Sequence, residues 1–549
     1  MAQQKICAQS GQSFTVSDQE EEYCHSQNIP LPTISPLERI RAITSFDNCI
    51  HLYNGKCAFS GQAILTTLPP ELGHPTYSPD VYISDQWDAT SFGRDYDFSR
   101  PFFEQFADLF KQVPLPSRFL TLSTLENSDF VNGVTGAKNC YLLFNATNCE
   151  DCLFSRVLNQ CKNTVESISV QNSELCYGCI NVSGSYELFW AENCASCTSS
   201  YFLYNCQNLK NCYGCVNLRN KEYCFENEQC TPDQYAAKLQ AKNLGSHAAW
   251  EQEYLRYSAR KKHTVGKYFQ GKNNENVTGN YINSSKNVSD GFFVLEAQDV
   301  FCGIRVVKAN NVFSSAFAAN NAQQIYASHG AVNNVSNIRW SVDCPNQTHD
   351  LEYCIHSTLG THDCFGCVGL KRKEYCILNK QYAKEDYMVL LAKIRDHMRS
   401  TGEYGQLFPA SLSPYYYNHS YAMEFTPLSK VEALQRGYQW KDEQIDPTPT
   451  NYVIPDHIRD VQDDILQAVL VCSQSGKKYR LVKAELDIYR RFQIPIPRIA
   501  PLVRLENVSR YLQMVPLVTR SCVQCQVSLA SVYATEPVLC EDCYQRSLV

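Results

Sequence analysis

The sequence predicts a mainly β protein: a parallel β-solenoid in two halves with helical caps, flanked by two copies of a cysteine-knuckle module. Three observations support this fold class. A knuckle occurs four times, short Asn- and Cys-rich units repeat through the middle, and both series of units end in related sequences. We predict six segments, which are a ribbon-like module with a connector helix, a first solenoid half, a helical linker, a second solenoid half, a helix with an extended connector, and a second ribbon-like module. Their bounds are 1–118, 119–230, 231–270, 271–380, 381–465 and 466–549.

The knuckles lie in pairs near the two ends of the chain. The separation within each pair is the same, because Cys57 follows Cys7 by 50 residues and Cys522 follows Cys472 by 50. The two end segments align at an offset of 465, and the alignment also matches charged residues. An equal spacing at both ends indicates a duplicated module. The four copies read Cys7-Ala-Gln-Ser10-Gly, Cys57-Ala-Phe-Ser60-Gly, Cys472-Ser-Gln-Ser475-Gly and Cys522-Val-Gln-Cys525, and the matched polar pairs are Glu20 with Glu485 and Arg39 with Arg504.

A C-x2-C-G knuckle is typical of zinc ribbons, yet three of the four copies have Ser in place of the second Cys. The positions where a second ligand pair would follow also lack thiols in these copies. Tetrahedral zinc needs four ligands, so one thiolate cannot hold it. The sequence therefore predicts three metal-free relics. Their second-pair positions read Ser35-Pro-Leu-Glu38, Ser78-Pro-Asp-Val81 and Ala500-Pro-Leu-Val503.

The last knuckle keeps a complete ligand set. Cys522 and Cys525 are followed, after 14 intervening residues, by Cys540 and Cys543. Two C-x2-C pairs at this spacing indicate a zinc site, and four protein ligands leave no open position for catalysis. We predict that these four residues bind a structural Zn²⁺; the alternative is four unligated thiols.

The middle of the chain repeats in short units such as Lys138-Asn-Cys-Tyr and Lys210-Asn-Cys-Tyr. Cys residues recur at a spacing of 18 in two series. A fixed repeat with Asn at the corners and inward positions alternating with period two predicts a parallel β-helix. The C-x2-C pairs within it are interpreted as stacked buried thiols, with metal binding as the alternative. The two series are Cys176, Cys194, Cys212 and Cys179, Cys197, Cys215.

A second series of units begins near Asn287 and continues through Gln298, Asn310, Asn333, His349 and His362. Residues 211–227 and 363–379, at the ends of the two series, share ten of seventeen identities. Helix-start signals follow each, at Thr231-Pro232 and at Ala383. We predict another helix with a basic end within 240–264, and a connector at 402–455 with one short helix from Lys430 to Arg436.

Four stretches of the sequence point to a family resemblance, namely Tyr82–Asp88, Gly93–Phe106, Lys373–Tyr382 and Cys540–Tyr544. They resemble an uncharacterised Cys-rich family that is frequent in genomes of ultra-small uncultured bacteria. The resemblance covers essentially the full length, and the end modules are similar to the probable zinc-ribbon (treble-clef-like) domain. It implies zinc at the ends and no reaction. Some members have a CaiB/BaiF CoA-transferase label, which no residue pattern of this sequence supports.

Catalytic patterns are sparse. The grouping of Ser328-His329-Gly330 with Asp343 and Asp350 is interpreted as turn residues of the repeat. The charged and aromatic segment Gly93–Phe106 fits either an acid/base site or, as we favour, a docking helix that begins after Pro101. We identify no catalytic residue.

Composition narrows the function classes. The net charge of -7 gives no general attraction for nucleic acid, and no run of 18 apolar residues predicts a membrane span. The N-terminus lacks the pattern of a secretion signal, so we expect a cytoplasmic protein with its 28 Cys reduced. The sequence favours a non-enzymatic binding or scaffold protein with a structural zinc ribbon, whose ligand is a protein or a single-stranded nucleic acid. The alternatives are a β-helix-type enzyme acting on a polymer and a zinc or thiol buffer. The end modules are also candidates for dimerisation.

Overall fold

The computed structural model describes residues 3–26, 28–304, 315–316, 328–329, 341–342 and 349–547. These residues form a mixed α/β protein with a large parallel sheet of eleven strands. Helices take a larger part than the mainly β prediction allowed. Within the described residues, no helix combines the length and apolar composition that crossing a bilayer requires.

The N-terminal part consists of two knuckle hairpins, each followed by a helix, and a connector helix. Both hairpins are antiparallel pairs, β1 with β2 and β3 with β4. The elements are β1 Gln3–Ile6, β2 Ser13–Val16, α1 Asp18–Ser26, α2 Pro36–Thr44, β3 Tyr53–Lys56, β4 Ala63–Thr66, β5 Thr76–Tyr77, α3 Pro79–Ile83, α4 Phe102–Phe110 and β6 Leu115–Pro116.

The eleven-stranded parallel sheet, called the first stack below, consists of β7 to β17. Its register is constant, because each strand pairs with the segment twelve residues further along: Val131 faces Leu143, and Leu143 faces Ser155. A small antiparallel hairpin of β18 and β19 ends it. The strands are β7 Leu125–Glu126, β8 Val131–Lys138, β9 Tyr141–Glu150, β10 Leu153–Asn159, β11 Ile168–Gln171, β12 Glu174–Tyr177, β13 Ile180–Ser183, β14 Tyr186–Ala195, β15 Thr198–Tyr204, β16 Gln207–Lys210, β17 Arg219–Glu222, β18 Cys224–Phe225 and β19 Glu228–Gln229.

Interior positions of the first stack recur every third residue, so the predicted period of two is wrong. The residue before each interior position has left-handed backbone geometry, which turns the chain and returns the next side chain to the inside. Interior residues that are at most 3% exposed include Cys140, Leu143, Ala146, Cys149 and Cys152. The residues before them, with φ between 48° and 54°, are Asn139, Leu142, Asn145, Asn148 and Asp151.

This geometry also corrects the interpretation of the 18-residue Cys spacing. Like positions stack at twelve residues, as Cys364 and Cys376 do, so residues 18 apart are not neighbours in the ladder. Cys176 and Cys179 nevertheless both face the interior and are fully buried. The turn between them is made by Gly178, whose φ is +64°.

Two helices and a second group of parallel strands follow. The first helix begins where the sequence predicts, and the Thr231 hydroxyl and the Gln234 side chain form a capping box there. The second begins at His247, later than the predicted start at residue 240. Strands β21 to β27 form a seven-stranded sheet and β28 to β31 a four-stranded one; together they are called the second stack. The elements are α5 Pro232–Ala241, α6 His247–His263, β20 Gly266–Lys267, β21 Gly271–Lys272, β22 Glu275–Asn283, β23 Lys286–Leu295, β24 Gln298–Ile304, β25 Ser315–Ala316, β26 Ser328–His329, β27 Ser341–Val342, β28 His349–Glu352, β29 His362–Phe365, β30 Glu374–Ile377 and β31 Lys380–Gln381.

Some predicted repeat units lie outside the described residues, namely those beginning at Asn310 and Asn333. Gly330 and Asp343 also lie outside, so the grouping around His329 stays a prediction. Of that grouping, His329 lies in β26 and Asp350 in β28.

The C-terminal part contains the connector and the second pair of knuckles. The connector has the predicted short helix and, in addition, α8. The elements are α7 Lys384–Ser400, α8 Tyr421–Phe425, α9 Lys430–Gln435, β32 Leu470–Val471, β33 Lys478–Tyr479, α10 Lys483–Phe492, α11 Pro501–Ser509, β34 Val518–Ser521, β35 Ser528–Ser531, β36 Val538–Leu539 and α12 Glu541–Ser547.

An outward row of aromatic side chains on the first stack is covered by helices. Phe189 stacks on Tyr201 with ring centroids 4.7 Å apart, and Tyr213 stacks on Phe225 at 4.6 Å. Phe492 of α10 packs edge-on against Phe189 at 5.2 Å. These rings therefore pack into the core between the first stack and the helices.

Both ends of the chain share one hydrophobic core, which contains Ile40 and Ile43 of α2 and Leu505 and Val508 of α11. The end modules therefore pack together within one chain; dimerisation through them stays a prediction.

The matched polar residues of the two end modules form buried ion pairs. Arg39 bonds Glu20, and Arg504 bonds Glu485 at 2.6 Å. Arg504 also bonds Glu166 of the first stack, so this pair attaches the C-terminal module to the sheet. Each of these charges is buried, and a buried charge is tolerated only when it is paired and hydrogen-bonded.

We expect Arg504→Met to lower the free energy of unfolding by about 4 kcal/mol, because two buried carboxylates lose their partner. The matched control is Arg490→Met in the same module, which removes a partly exposed pair with Asp463 and should cost less than about 1 kcal/mol. Urea unfolding of the two variants measures the difference. Equal losses of unfolding free energy in the two variants would contradict a special contribution of the buried ion pair to stability.

Candidate metal centre

All four knuckles have the same backbone turn. In the last one the Cys522 amide donates to the Val527 carbonyl at 3.0 Å, and the Gln526 amide donates to the Cys522 carbonyl at 2.9 Å. The residue four positions after each first Cys has left-handed geometry, with φ between +63° and +73°. Glycine occupies this position in three copies, for which the conformation is unstrained. These residues are Gly11, Gly61, Gly476 and Gln526.

The helix after the last knuckle brings the second ligand pair to the first. Cys540 directly precedes α12, and Cys543 lies in its first turn, fully buried. The ligand atoms of all four cysteines lie within 4.8 Å of one another, and the sulfurs of Cys525 and Cys540 are 3.6 Å apart. Thiolates around zinc, with Zn–S near 2.3 Å, sit about 3.8 Å apart in a tetrahedron. The four predicted residues therefore come together at a separation that fits a tetrahedral metal ion.

The local electrostatics favour a thiolate at the knuckle. Burial opposes ionisation of Cys522, but backbone N–H groups of Cys525, Cys540 and Gln524 directed at its sulfur lower its pKa to about 6. Burial and the neighbouring thiol of Cys540 raise the pKa of Cys543 to about 12. Arg546 donates to the Cys543 sulfur at 3.1 Å and places a positive charge beside the cluster. A bound cation would stabilise the remaining thiolates.

The other three knuckles keep the turn without the ligands. The sulfur of Cys7 accepts the Ser35 amide at 3.3 Å, and that of Cys57 accepts the Ser78 amide at 3.4 Å. Burial opposes ionisation of Cys57, yet the Ser60 hydroxyl and the surrounding amides lower its pKa to about 7. Hydrogen bonds thus close these turns, and the absence of metal from them stays a prediction.

The cysteines of the stacks are arranged differently. Their thiols donate to backbone carbonyls two residues back and nine residues ahead, as Cys152 does to Glu150 at 3.3 Å and Cys161 at 3.5 Å. In the described part of the chain, the cluster around Cys522 is the one group of three or more His, Cys, Asp or Glu with ligand atoms gathered for a metal. The interpretation as buried thiols accounts for these contacts.

Two other charged segments take structural roles. In the segment Gly93–Phe106, Asp95 pairs with Lys380 and Arg100 with Asp108, while Phe102 and Phe106 are fully buried on α4. This is the docking helix. At the basic end of α6, Arg256, Arg260 and Lys261 pair with carboxylates, which leaves little charge for phosphate contacts.

The cluster also joins the two stacks. Strand β36, just before Cys540, pairs in parallel with β20 at the entry to the second stack. On α12, the Tyr544 hydroxyl accepts a bond from Asn205 of the first stack at 3.1 Å, and Glu541 pairs with Lys267 at 2.5 Å. No sequence signal had predicted this bridging position.

No protein-family model matches the chain, and no curated protein matches it in sequence.

Proposed function

We propose that the chain is a non-enzymatic cytoplasmic scaffold that binds an extended ligand, with one structural Zn²⁺ held by Cys522, Cys525, Cys540 and Cys543. The observation that carries this proposal is the closed cluster of four sulfurs at the junction of the two stacks. Four protein thiolates fill a tetrahedral site and leave no position for water or substrate, so such a site stabilises structure. Its similarity to the probable zinc-ribbon domain supports the same role.

We further propose that the two stacks form the two halves of a β-solenoid, with α5 and α7 as caps. The constant twelve-residue register of the first stack, the registers of 11 to 13 residues in the second and the regularly spaced left-handed residues support this proposal. Tyr235 of α5 packs on Phe225 at 6.4 Å, and Tyr387 of α7 packs on Tyr375 at 5.6 Å, so a helix covers the last strands of each half. A repeated surface of this kind suits an extended partner.

The alternative functions have less support. An enzyme acting on a polymer needs convergent carboxylates in a groove, but Glu541 is the single carboxylate among the described residues that line the cleft between the stacks and α12, and it pairs with Lys267. A thiol buffer needs accessible or preassembled thiols, whereas the stack cysteines are buried and bonded to carbonyls.

We expect the purified protein to contain about one zinc per chain and Cys540→Ser to lose it, because three thiolates and a hydroxyl hold zinc poorly. The matched control is Cys472→Ser, at the corresponding module but in a knuckle without a ligand set, which should keep the metal. Elemental analysis of both variants gives the zinc content. Equal zinc content in the two variants would place the metal elsewhere.

The scaffold role is tested by gentle purification of the full chain from a lysate. We expect a macromolecule to accompany it in stoichiometric amount, detected by the 260/280 nm absorbance ratio before and after nuclease and by gel analysis. A zinc-containing chain that is folded and always free of any partner would contradict the scaffold role while leaving the zinc site intact.

A further inference from the structure

A long polar cleft of about 1340 Å³ lies between the first stack, the start of the second stack and α12. Asn and Gln side chains are numerous in its lining, and we call it the amide cleft. On the first stack, lining residues at equivalent positions of successive strands form rows across the sheet. Neighbouring strands of a sheet are about 4.8 Å apart. The row from Gln171 to Arg219 covers five levels and is therefore about 19 Å long. The defining residues are Asn181, Asn193, Asn205, Gln207, Lys272 and Asn276.

One row of the cleft is an asparagine ladder with a break. Asn181 donates to Asn193 at 2.7 Å, and Asn205 donates to Asn217 at 2.6 Å. Between these two pairs the ladder is broken, with no bond from Asn193 to Asn205. The side-chain oxygen Oδ1 of Asn205 instead accepts a hydrogen bond from Arg219 at 3.2 Å. Within the described structure, Nδ2 of Asn193 is buried and has no hydrogen-bond acceptor. A ligand that offers acceptor oxygens or ring nitrogens would satisfy this donor.

The charge of the cleft has the opposite sign to that of the whole chain. Arg219, Lys267 and Lys272 line it against the one carboxylate of Glu541, although the chain carries a net charge of -7. Lys272 is exposed and has no carboxylate partner among the described residues. A local excess of positive charge on an acidic protein attracts an anion.

Some lysines of the stacks are neutralised by a carboxylate on the neighbouring strand. Lys162 pairs with Glu150 at 3.1 Å, and Lys286 pairs with Glu275 at 2.8 Å. Lys272 lacks such a pair among the described residues, so its charge is free to act on a ligand in the cleft.

We propose that the amide cleft binds a single-stranded nucleic acid, with base edges against the Asn and Gln side chains and phosphates at Lys272 and Arg219. Side-chain amides carry the paired donor and acceptor that base edges require, and unstacked single strands present those edges. A neutral glycan would use the amides but would gain little from the cations. This inference rests on the scaffold function proposed above and names its ligand.

The cysteine cluster supports one wall of this site. Tyr544, one residue after the ligand Cys543, bonds Asn205 on the opposite wall, and Glu541 holds Lys267. The cluster therefore fixes the width of the cleft at the broken ladder.

The test uses the full zinc-loaded chain and fluorescein-labelled single-stranded RNA and DNA of about 12 nucleotides. Fluorescence anisotropy at salt concentrations between about 50 and 200 mM should show binding that weakens as salt rises. Gln207→Glu, which adds a negative charge at nearly constant shape, should weaken binding about tenfold. Lys272→Gln should reduce the slope of log K against log salt by about 1. The matched controls are Gln240→Glu on α5 and Lys262→Gln on α6, both exposed and outside the cleft, which should leave binding unchanged.

Zinc content and melting temperature of each variant show whether it is folded. Absence of binding to both polymers by the folded wild-type chain would overturn the inference. Equal effects of Gln207→Glu and Gln240→Glu would overturn the cleft as the site. Binding of a neutral oligosaccharide, or copurification of a protein alone, would overturn the nucleic-acid ligand while the scaffold function stands. The ratio of RNA to DNA affinity identifies which polymer is preferred.

Discussion

The structure of the stacks depends on one backbone constraint, a left-handed residue at every third position. Each such residue turns the chain, so one side chain in three enters the interior. In the first stack the chain returns to the same register after twelve residues. Asn tolerates this conformation, but Phe154 and Val157 also adopt it, at a cost of about 1–2 kcal/mol each. The narrow interior then selects small side chains, and cysteine is a small hydrophobe with a weak donor that the strand carbonyls accept. The abundance of cysteine is thus a consequence of backbone geometry.

The three knuckles that lack a full ligand set are held in place by the rest of the fold. A strand stack provides fixed docking surfaces, and the end modules attach to them through buried charge and aromatic packing. The Glu485–Arg504 pair reaches Glu166 on the first stack, and Phe102 of the N-terminal part packs on Phe365 of the second at 5.3 Å. Modules held in this way keep their turns through hydrogen bonds. The last knuckle has a much smaller local core, formed mainly by Cys522, Leu539 and Cys543, so it has the greatest need of a metal ion.

The sequence predicted the elements whose cause is local. Neighbouring residues determine the helix starts at Thr231 and Ala383 and the docking helix after Pro101. Ligand spacing determines that Cys522 and Cys540 come together. The period of the stacks could not be predicted from the sequence, because nothing about Leu142 or Phe154 signals that their backbone is left-handed. The burial of the aromatic row was equally hidden, since it depends on helices α6 and α10 that are remote in sequence. The amide cleft arises only when three distant segments meet.

Net charge is a poor guide to ligand preference in such a repeat protein. A carboxylate about one turn from a lysine cancels its charge within a few ångströms, as for Lys162 and Glu150, so most of the 49 basic residues contribute little field at a distance. Screening at physiological salt, with a Debye length of about 8 Å, removes most of the rest. What a polymer meets in the amide cleft is therefore set by Arg219, Lys272 and the unfilled Asn193 donor. The net charge of -7 affects solubility and the association rate. The local pairing of charges determines which surface binds.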